Sequence, residues 1–119
     1  MRGDEERVVH AFCIWLEDHG WTVEREVEFV DIAASRGDER LYAEAKGRTA
    51  AIGLDVDTLY GQLLRRMPPD EVGVARFGVV VPTEAAAAAL RVPARVRERL
   101  QIDVYVVHED GGVQVAPER

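Results

Sequence analysis

The sequence predicts a single α/β domain, residues 1–119, in which helices flank a mixed central β-sheet in the order α-β-β-α-β-α-β-β. Three patterns predict this class: helical periodicity at the start, strand-like alternation after it, and a short continuous apolar run, Phe77–Val81, that is typical of a strand buried on both faces. The length of 119 residues fits one domain, and a hydrophobic fraction of 47% is enough for one core.

The first predicted element is an amphipathic helix over residues 4–19. Apolar residues recur there at three- and four-residue spacing, and Gly20 supplies a stop signal. Residues 21–34 are predicted to form one strand, because apolar and acidic residues alternate along it. The apolar parity of that strand, interrupted by Arg25 alone, comprises Trp21, Val23, Val27, Phe29, Asp31 and Ala33.

A hairpin follows from the next residues. Arg36-Gly37-Asp38 is turn chemistry, and residues 41–48 are predicted as the second strand. The later elements have their own boundary signals. They are a helix from Asp57 or Thr58 to Met67, a buried strand Phe77–Val81, an alanine-rich helix capped by Thr83, a helical segment begun by Pro93, a buried strand Ile102–Val107 and an edge strand Val113–Val115.

The formal net charge is −7, and all of the excess lies in residues 1–60, which hold 14 acidic and 7 basic residues against 8 of each in residues 61–119. This balance argues against indiscriminate nucleic-acid binding, and a divalent cation would offset part of it. No stretch approaches the roughly 20 apolar residues of a membrane span. With a charged start and one cysteine, Cys13, the sequence predicts a cytoplasmic protein without a membrane partner.

Lys46 is the single lysine among 15 basic residues; the other 14 are arginine. Arginine replaces lysine well on a solvated surface, but poorly where a compact ammonium is required. Lys46 is therefore a candidate for chemistry, although a lone lysine can also persist by chance.

Asp31, Glu44 and Lys46 are the candidate catalytic residues. Side chains two apart on a strand share a face, so Glu44 and Lys46 project together, and the hairpin brings Asp31 near them. Converging carboxylates repel each other unless a cation is bound, and Mg²⁺ accepts two carboxylates with a backbone carbonyl and waters. The alternative is a surface pair of Glu44 and Lys46 with Asp31 satisfied by hydrogen bonds. Without further context, these residues favour that alternative.

The context is Val30-Asp31-Ile32, then Tyr42-Ala43-Glu44-Ala45-Lys46-Gly47-Arg48, with twelve residues between Asp31 and Glu44 and a helix on either side. This arrangement resembles the PD-(D/E)xK nuclease superfamily, with its restriction-endonuclease-like fold, and in particular the small Holliday-junction-resolvase-like and Mrr-like members. Val30 stands where those proteins usually carry proline.

The resemblance implies a metal-dependent phosphodiesterase acting on nucleic acid, specifically a DNA endonuclease. Asp31, Glu44 and the backbone carbonyl of Ala45 would hold Mg²⁺ or Mn²⁺, and Lys46 would orient or activate the attacking water. Glu6 matches a helical acid that serves as a further metal ligand, with Glu5 as its alternative. Favourable charge at a helix N-terminus explains both acids equally well.

The resemblance also implies that Gln62 lies near the active site. Gln62 shares a polar helix stripe with Arg65 and Arg66, and these arginines, with Arg48, are candidate phosphate contacts. A solvated helix face is the alternative. The resemblance further implies a homodimer acting on DNA rather than RNA, while the acidic balance keeps delivery by a protein partner open. Two other hypotheses remain: a catalytically inactive nuclease-fold module that binds nucleic acid or a protein, and an unrelated α/β interaction domain.

Overall fold

The fold is taken from a computed structural model that describes residues 2–27 and 30–116, with side chains from residue 4 onward except those of residues 26 and 27. The helices are α1 (Arg2–Asp18), α2 (Ile52–Arg66), α3 (Ala86–Ala89) and α4 (Ala94–Leu100). The strands are β1 (Thr22–Val27), β2 (Val30–Arg36), β3 (Glu39–Ala45), β4 (Arg76–Pro82), β5 (Ile102–Val107) and β6 (Val113–Val115). Short 3₁₀ turns cover Pro69–Glu71 and Thr83–Ala85.

The strands form one six-stranded sheet in the order β1-β2-β3-β4-β5-β6. The pairs β1–β2, β2–β3 and β5–β6 are antiparallel, whereas β3–β4 and β4–β5 are parallel. The parallel pairs require crossovers, and these carry α2 and the α3–α4 segment. The predicted class, a mixed α/β fold with helices flanking the sheet, is confirmed, and it is compatible with a restriction-endonuclease-like fold. No helix among residues 2–27 and 30–116 is long and apolar enough to cross a bilayer.

Helix α1 covers one face of the sheet. Its apolar stripe, which includes Val8, Phe12 and Leu16, is fully buried against the sheet residues that point the same way. On the sheet side this core consists of Ile32, Ala34, Leu41, Ala43, Ala45, Val80, Tyr105 and Val107. Because side chains alternate along a strand, the even residues of β2 and the odd residues of β3 therefore face α1.

Helix α2 covers the opposite face. Its buried residues are Val56, Leu59, Tyr60 and Leu63, which recur at the three- and four-residue spacing of one helix face. They pack on residues of the parallel strands, namely Phe77, Val79, Val81, Val104 and Val106. Strand β4 contributes Val79 and Val81 to this core and Val80 to the other, so it is buried on both faces, as its continuous apolar run predicts.

The prediction of one strand over residues 21–34 is wrong. Two antiparallel strands, β1 and β2, occupy this region, and Val27 pairs with Val30. The buried parity differs between the two strands, since Val30, Ile32 and Ala34 are the buried residues of β2. Asp31 therefore lies on the face opposite to the one that packs on α1. Glu28 and Phe29, which carried the predicted alternation, lie outside the described residues.

Three predicted boundaries also need correction. Helix α2 begins at Ile52, so neither Asp57 nor Thr58 caps it; the turn before it is organised by Thr49, whose hydroxyl accepts the Ala51 N–H and bonds to Asp55. Thr83 opens a 3₁₀ turn, and the alanine-rich helix α3 spans four residues. Strand β3 ends at Ala45, one residue before Lys46.

Gly47 allows a close approach between α1 and the chain that follows β3. A Cβ at this position would lie 2.4 Å from the backbone nitrogen of Glu5 and 2.7 Å from the carbonyl carbon of Asp4. The first turn of α1 thus rests directly on the backbone that follows β3. The Asp4 carboxylate also accepts the Arg48 backbone N–H, which fixes the loop to the helix.

Candidate metal and nucleic-acid site

The hairpin of β2 and β3 places Asp31 beside Glu44. Ile32 is the cross-strand partner of Ala43, so the next step of the antiparallel register sets Asp31 opposite Glu44. Asp31 Oδ2 accepts the Ala45 backbone N–H at 3.0 Å. Because Ile32 and Ala43 face α1, the two carboxylates face the α2 side. The structure therefore brings these two predicted site residues together.

Glu44 is a buried carboxylate. Its side chain is 1% exposed, and its Oε1 accepts a hydrogen bond from Arg66 Nη1 at 2.9 Å. Its Oε2 is buried and meets no donor in hydrogen-bond geometry, while the Asp31 backbone N–H is near enough to the carboxylate to lower its pKa. Burial raises the pKa of Glu44, and the negative charge of Asp31 raises it further; Arg66 opposes both, and the pKa reaches about 7. Glu44 thus changes charge near neutral pH, as functional-site carboxyl groups often do.

Lys46 lies just past the end of β3. Its backbone N–H donates to the Val80 carbonyl at 3.0 Å, and its Nζ lies 3.9 Å from Glu5 Oε1. Both side chains are about 40% exposed, at 39% and 42%. The ammonium therefore stands at the end of the sheet, next to the first turn of α1. Glu5, the alternative helical acid, is the one found beside it.

Glu6 is placed elsewhere. Its carboxylate pairs with Arg25 at 2.7 Å and is 63% exposed. Arg25 is the cross-strand partner of Ile32, so this pair lies on the α1 face, across the sheet from Asp31 and Glu44. Within residues 2–27 and 30–116, no group of three or more His, Cys, Asp or Glu side chains could hold a metal ion.

The residues present fit a hard cation that keeps most of its waters. Glu44 offers a buried oxygen, Oε2, that no hydrogen bond satisfies, and only one oxygen of Asp31 is engaged by the Ala45 N–H. Mg²⁺ is commonly bound by one or two carboxylates with several waters, and Mn²⁺ accepts similar oxygen ligands. Asp31 and Glu44, with the backbone carbonyl of Ala45, would hold the ion.

The predicted phosphate contacts differ in their surroundings. Arg66, the last residue of α2, is 33% exposed and donates to Glu44. Arg48 forms ion pairs with Glu84 at 2.7 Å and Glu109 at 2.6 Å, and these acids raise the pKa of its guanidinium. The pairing of Arg66 with Glu44 is the site feature that sequence reasoning missed. No local motif signals it, because it depends on where the end of α2 crosses β3.

Gln62 and Arg65 lie on α2 near the same end. Gln62 is half-buried one turn before Arg66, and Arg65 is exposed. Arg65 and Arg66 line a broad groove of about 970 Å³ between the C-terminal end of α2 and the first three strands. The rest of its lining is Thr22, Glu24, Val30, Ala33, Ala34, Ser35, Arg40, Tyr42, Met67, Pro68, Pro69 and Asp70. Arg66 thus lines the groove and contacts Glu44, whereas Asp31, Glu44 and Lys46 are not among the residues that line the groove.

Comparison with known proteins gives structural neighbours only. No protein-family model and no curated protein matches the sequence. Among solved structures, an XisH family protein from Nostoc punctiforme superposes with a TM-score of 0.60 at 23% identity, covering 93% of this chain and 99% of that one. An fdxN element excision controlling factor protein from Anabaena variabilis superposes with a TM-score of 0.60 at 22% identity, covering 94% and 99%. Likeness at this level of identity shows the fold, which extends over nearly the whole of both chains.

Proposed function

We propose that this protein is a metal-dependent nuclease that hydrolyses phosphodiesters in nucleic acid, as a DNA endonuclease. The observation that carries the proposal is the pair of Asp31 and Glu44, set side by side on adjacent strands with a buried, unpartnered oxygen on Glu44. Glu44 Oε2 is buried without a partner and Asp31 lies beside it, so a ligated cation would offset the repulsion between the two carboxylates, which Arg66 offsets only in part. The fold shared with the structural neighbours is compatible with this class.

Each residue of the site has a distinct part in the proposed reaction. Asp31 and Glu44, with the Ala45 carbonyl, would hold Mg²⁺ or Mn²⁺, which supplies a more acidic water and positive charge at the reacting phosphate. Lys46 would orient the attacking water and stabilise the negative charge that develops during the reaction. Its side chain is 39% exposed, and rotation of its flexible stem would turn the ammonium from Glu5 toward substrate.

The groove is the proposed path of the nucleic-acid backbone. Arg40, Arg65 and Arg66 supply positive charge along it, while Glu24 and Asp70 limit the length over which phosphate is attracted. With a net charge of −7, binding would be confined to this short stretch, unlike the wide basic surface of a non-specific DNA-binding protein. A homodimer would double such a footprint, and a protein partner would extend it.

The test is cleavage of a substrate panel in Mg²⁺ and in Mn²⁺. The panel comprises supercoiled plasmid, linear duplex, single strand, flap, four-way junction and RNA. Metal-dependent cutting should disappear in Asp31→Asn, Glu44→Gln and Lys46→Ala. It should persist in Glu39→Gln, which alters an exposed acid of β3, the strand that carries Glu44. Cutting that survives Asp31→Asn would overturn the proposal, as would the absence of cutting together with Mn²⁺ binding that does not need Asp31.

The second candidate is a non-catalytic module of the same fold. Arg66 already neutralises Glu44, and Lys46 is paired with Glu5, so the pocket has a stable arrangement of charges without metal. The name "excision controlling factor" belongs to a structural neighbour and suits either activity. Nucleic-acid binding that is indifferent to metal and to Glu44→Gln would favour this candidate.

A further inference from the structure

We infer that Arg66 is an internal counter-ion of the proposed metal site, which a divalent cation must displace from Glu44 before the site is complete. The inference rests on the proposed function and adds a regulatory step to it. Metal binding would be coupled to the movement of one arginine, and that arginine also lines the proposed substrate groove.

The geometry of the pair is the first support. Arg66 Nη1 lies 2.9 Å from Glu44 Oε1, and the Arg66 side chain is 33% exposed while that of Glu44 is 1% exposed. The arginine is thus the solvent-facing half of the pair. The guanidinium therefore shields part of Glu44 from solvent on the α2 face.

The second support is the balance of charge. Asp31 and Glu44 together carry two negative charges when ionised, and Arg66 places one positive charge beside Glu44 in an ion pair. A divalent cation added at the same carboxylate would stand a few ångströms from the guanidinium. Like charges at that separation repel strongly in a partly buried site, so the two cations compete for Glu44.

The third support is a place for the displaced group. Arg66 is the final residue of α2, and Met67 after it is extended, with φ −63° and ψ 124°. Its side chain already forms part of the groove wall with Arg65, Met67 and Pro68. A guanidinium released from Glu44 would therefore remain at the groove wall. There it would meet a phosphate, for which arginine is well suited.

A purely structural ion pair predicts different behaviour. If Arg66 only stabilised the fold, removing it would lower stability and leave metal affinity unchanged or weaker. Competition predicts instead that removing Arg66 increases metal affinity, because an uncharged side chain no longer competes with the cation for Glu44. The sign of the change in metal affinity therefore separates the two roles.

The experiment is a calorimetric titration in which Mn²⁺ is added to the wild type, to Arg66→Gln and to Arg65→Gln at constant pH and salt. Arg66→Gln should bind Mn²⁺ about tenfold more tightly than the wild type, within the usual range for coupled sites. Arg65→Gln is the matched control, since it removes the neighbouring charge on an exposed side chain, and its affinity should stay within about twofold of the wild type. Unchanged or weaker binding by Arg66→Gln would overturn the inference.

A second measurement covers the case in which Arg66→Gln does not fold. In wild-type protein labelled with ¹⁵N-arginine, the Arg66 Nε–Hε resonance is identified by its loss in Arg66→Lys. Saturating Mg²⁺ should shift it, and an unmoved resonance in a protein that binds Mg²⁺ through Asp31 would contradict displacement. Absence of Asp31-dependent metal binding in the wild type would instead overturn the proposed function itself.

Discussion

Glu44 makes the stability of the metal-free protein depend on pH. Its pKa is raised from 4.5 to about 7 in the folded state, chiefly by burial and then by Asp31. Between these values the folded protein holds a proton that the unfolded chain has lost, so the free energy of unfolding falls as pH rises. Above about pH 7 both states are ionised and the contribution levels off.

We therefore predict that the wild type loses stability relative to Glu44→Gln as pH rises from about 4.5 to about 7. The loss should reach up to about 3 kcal/mol, at about 1.4 kcal/mol per pH unit. Urea unfolding in chelator-treated buffer at several pH values measures it. Glu39→Gln, which alters a carboxylate that is 61% exposed, is the control and should keep the wild-type profile. A constant difference between the wild type and Glu44→Gln would contradict the burial of Glu44.

Lys46 gives a second test at the scale of one residue. Its pair with Glu5 is exposed and spans 3.9 Å, so it contributes well under about 1 kcal/mol to stability. Lys46→Arg should therefore unfold at nearly the wild-type urea concentration. Its cleavage rate should nevertheless fall by about tenfold or more, because the planar guanidinium cannot take the position of a compact ammonium at the reacting phosphate. A Lys46→Arg variant as active as the wild type would remove Lys46 from the proposed chemistry.

The contact between α1 and the backbone after β3 is the element-scale feature that positions Lys46. Gly47→Ala would press a methyl group against the backbone of Asp4 and Glu5, which cannot move without shifting the first turn of α1. We expect a loss of about 1–3 kcal/mol in the free energy of unfolding, as for other overpacked sites. Urea denaturation measures the loss.

Gly53→Ala is the matched control for that prediction. Gly53 lies in the first turn of α2, where a Cβ would meet nothing within 4 Å. Alanine is favoured over glycine in a helix by up to about 1 kcal/mol, so this variant should be as stable as the wild type or more so. Equal losses in both variants would show that the close approach at Gly47 does not constrain the fold.

The elements that the sequence predicts well are those with a strong local signal. The predicted buried strand Ile102–Val107 matches β5 residue for residue, and the periodicity of residues 4–19 marks α1 to within two residues at the start. The division into β1 and β2 was not predicted, because apolar and acidic residues alternate from the first strand into the second. A strand pattern records which residues alternate, but not where the chain reverses and the buried parity changes.

The candidate site likewise has residues whose placement the sequence predicts and one, Arg66, whose role it does not. Asp31 and Glu44 were predictable as neighbours, because hairpin register follows from the turn at Gly37. We expected Lys46 to share their face because we assumed that strand alternation continues to this residue. Strand β3 ends before Lys46, so that assumption does not hold there. The role of Arg66 toward Glu44 was not predictable, since it requires the packing angle of α2 on the sheet, which residue spacing does not encode.

At the scale of the whole molecule, function depends on where charge is placed in a chain with net charge −7. The groove and its arginines lie over the first three strands, while α4 packs against β5. Strands are spaced by about 4.8 Å, so β5 is separated by roughly 10 Å from β3 and by roughly 19 Å from β1. These separations equal or exceed the Debye length of about 10 Å at 0.1 M salt, so a charge on α4 should be felt weakly in the groove.

We therefore predict unequal effects from two substitutions that change the net charge equally. Arg65→Glu should weaken the binding of a short labelled DNA duplex by about tenfold, and lower the slope of log affinity against log salt by about 1, because a phosphate contact is lost. Arg99→Glu, on an exposed position of α4, should weaken it by less than about threefold. Fluorescence anisotropy with Ca²⁺ in place of Mg²⁺ measures binding without cleavage. Equal weakening would show that overall charge governs binding, and would remove the groove from the nucleic-acid path.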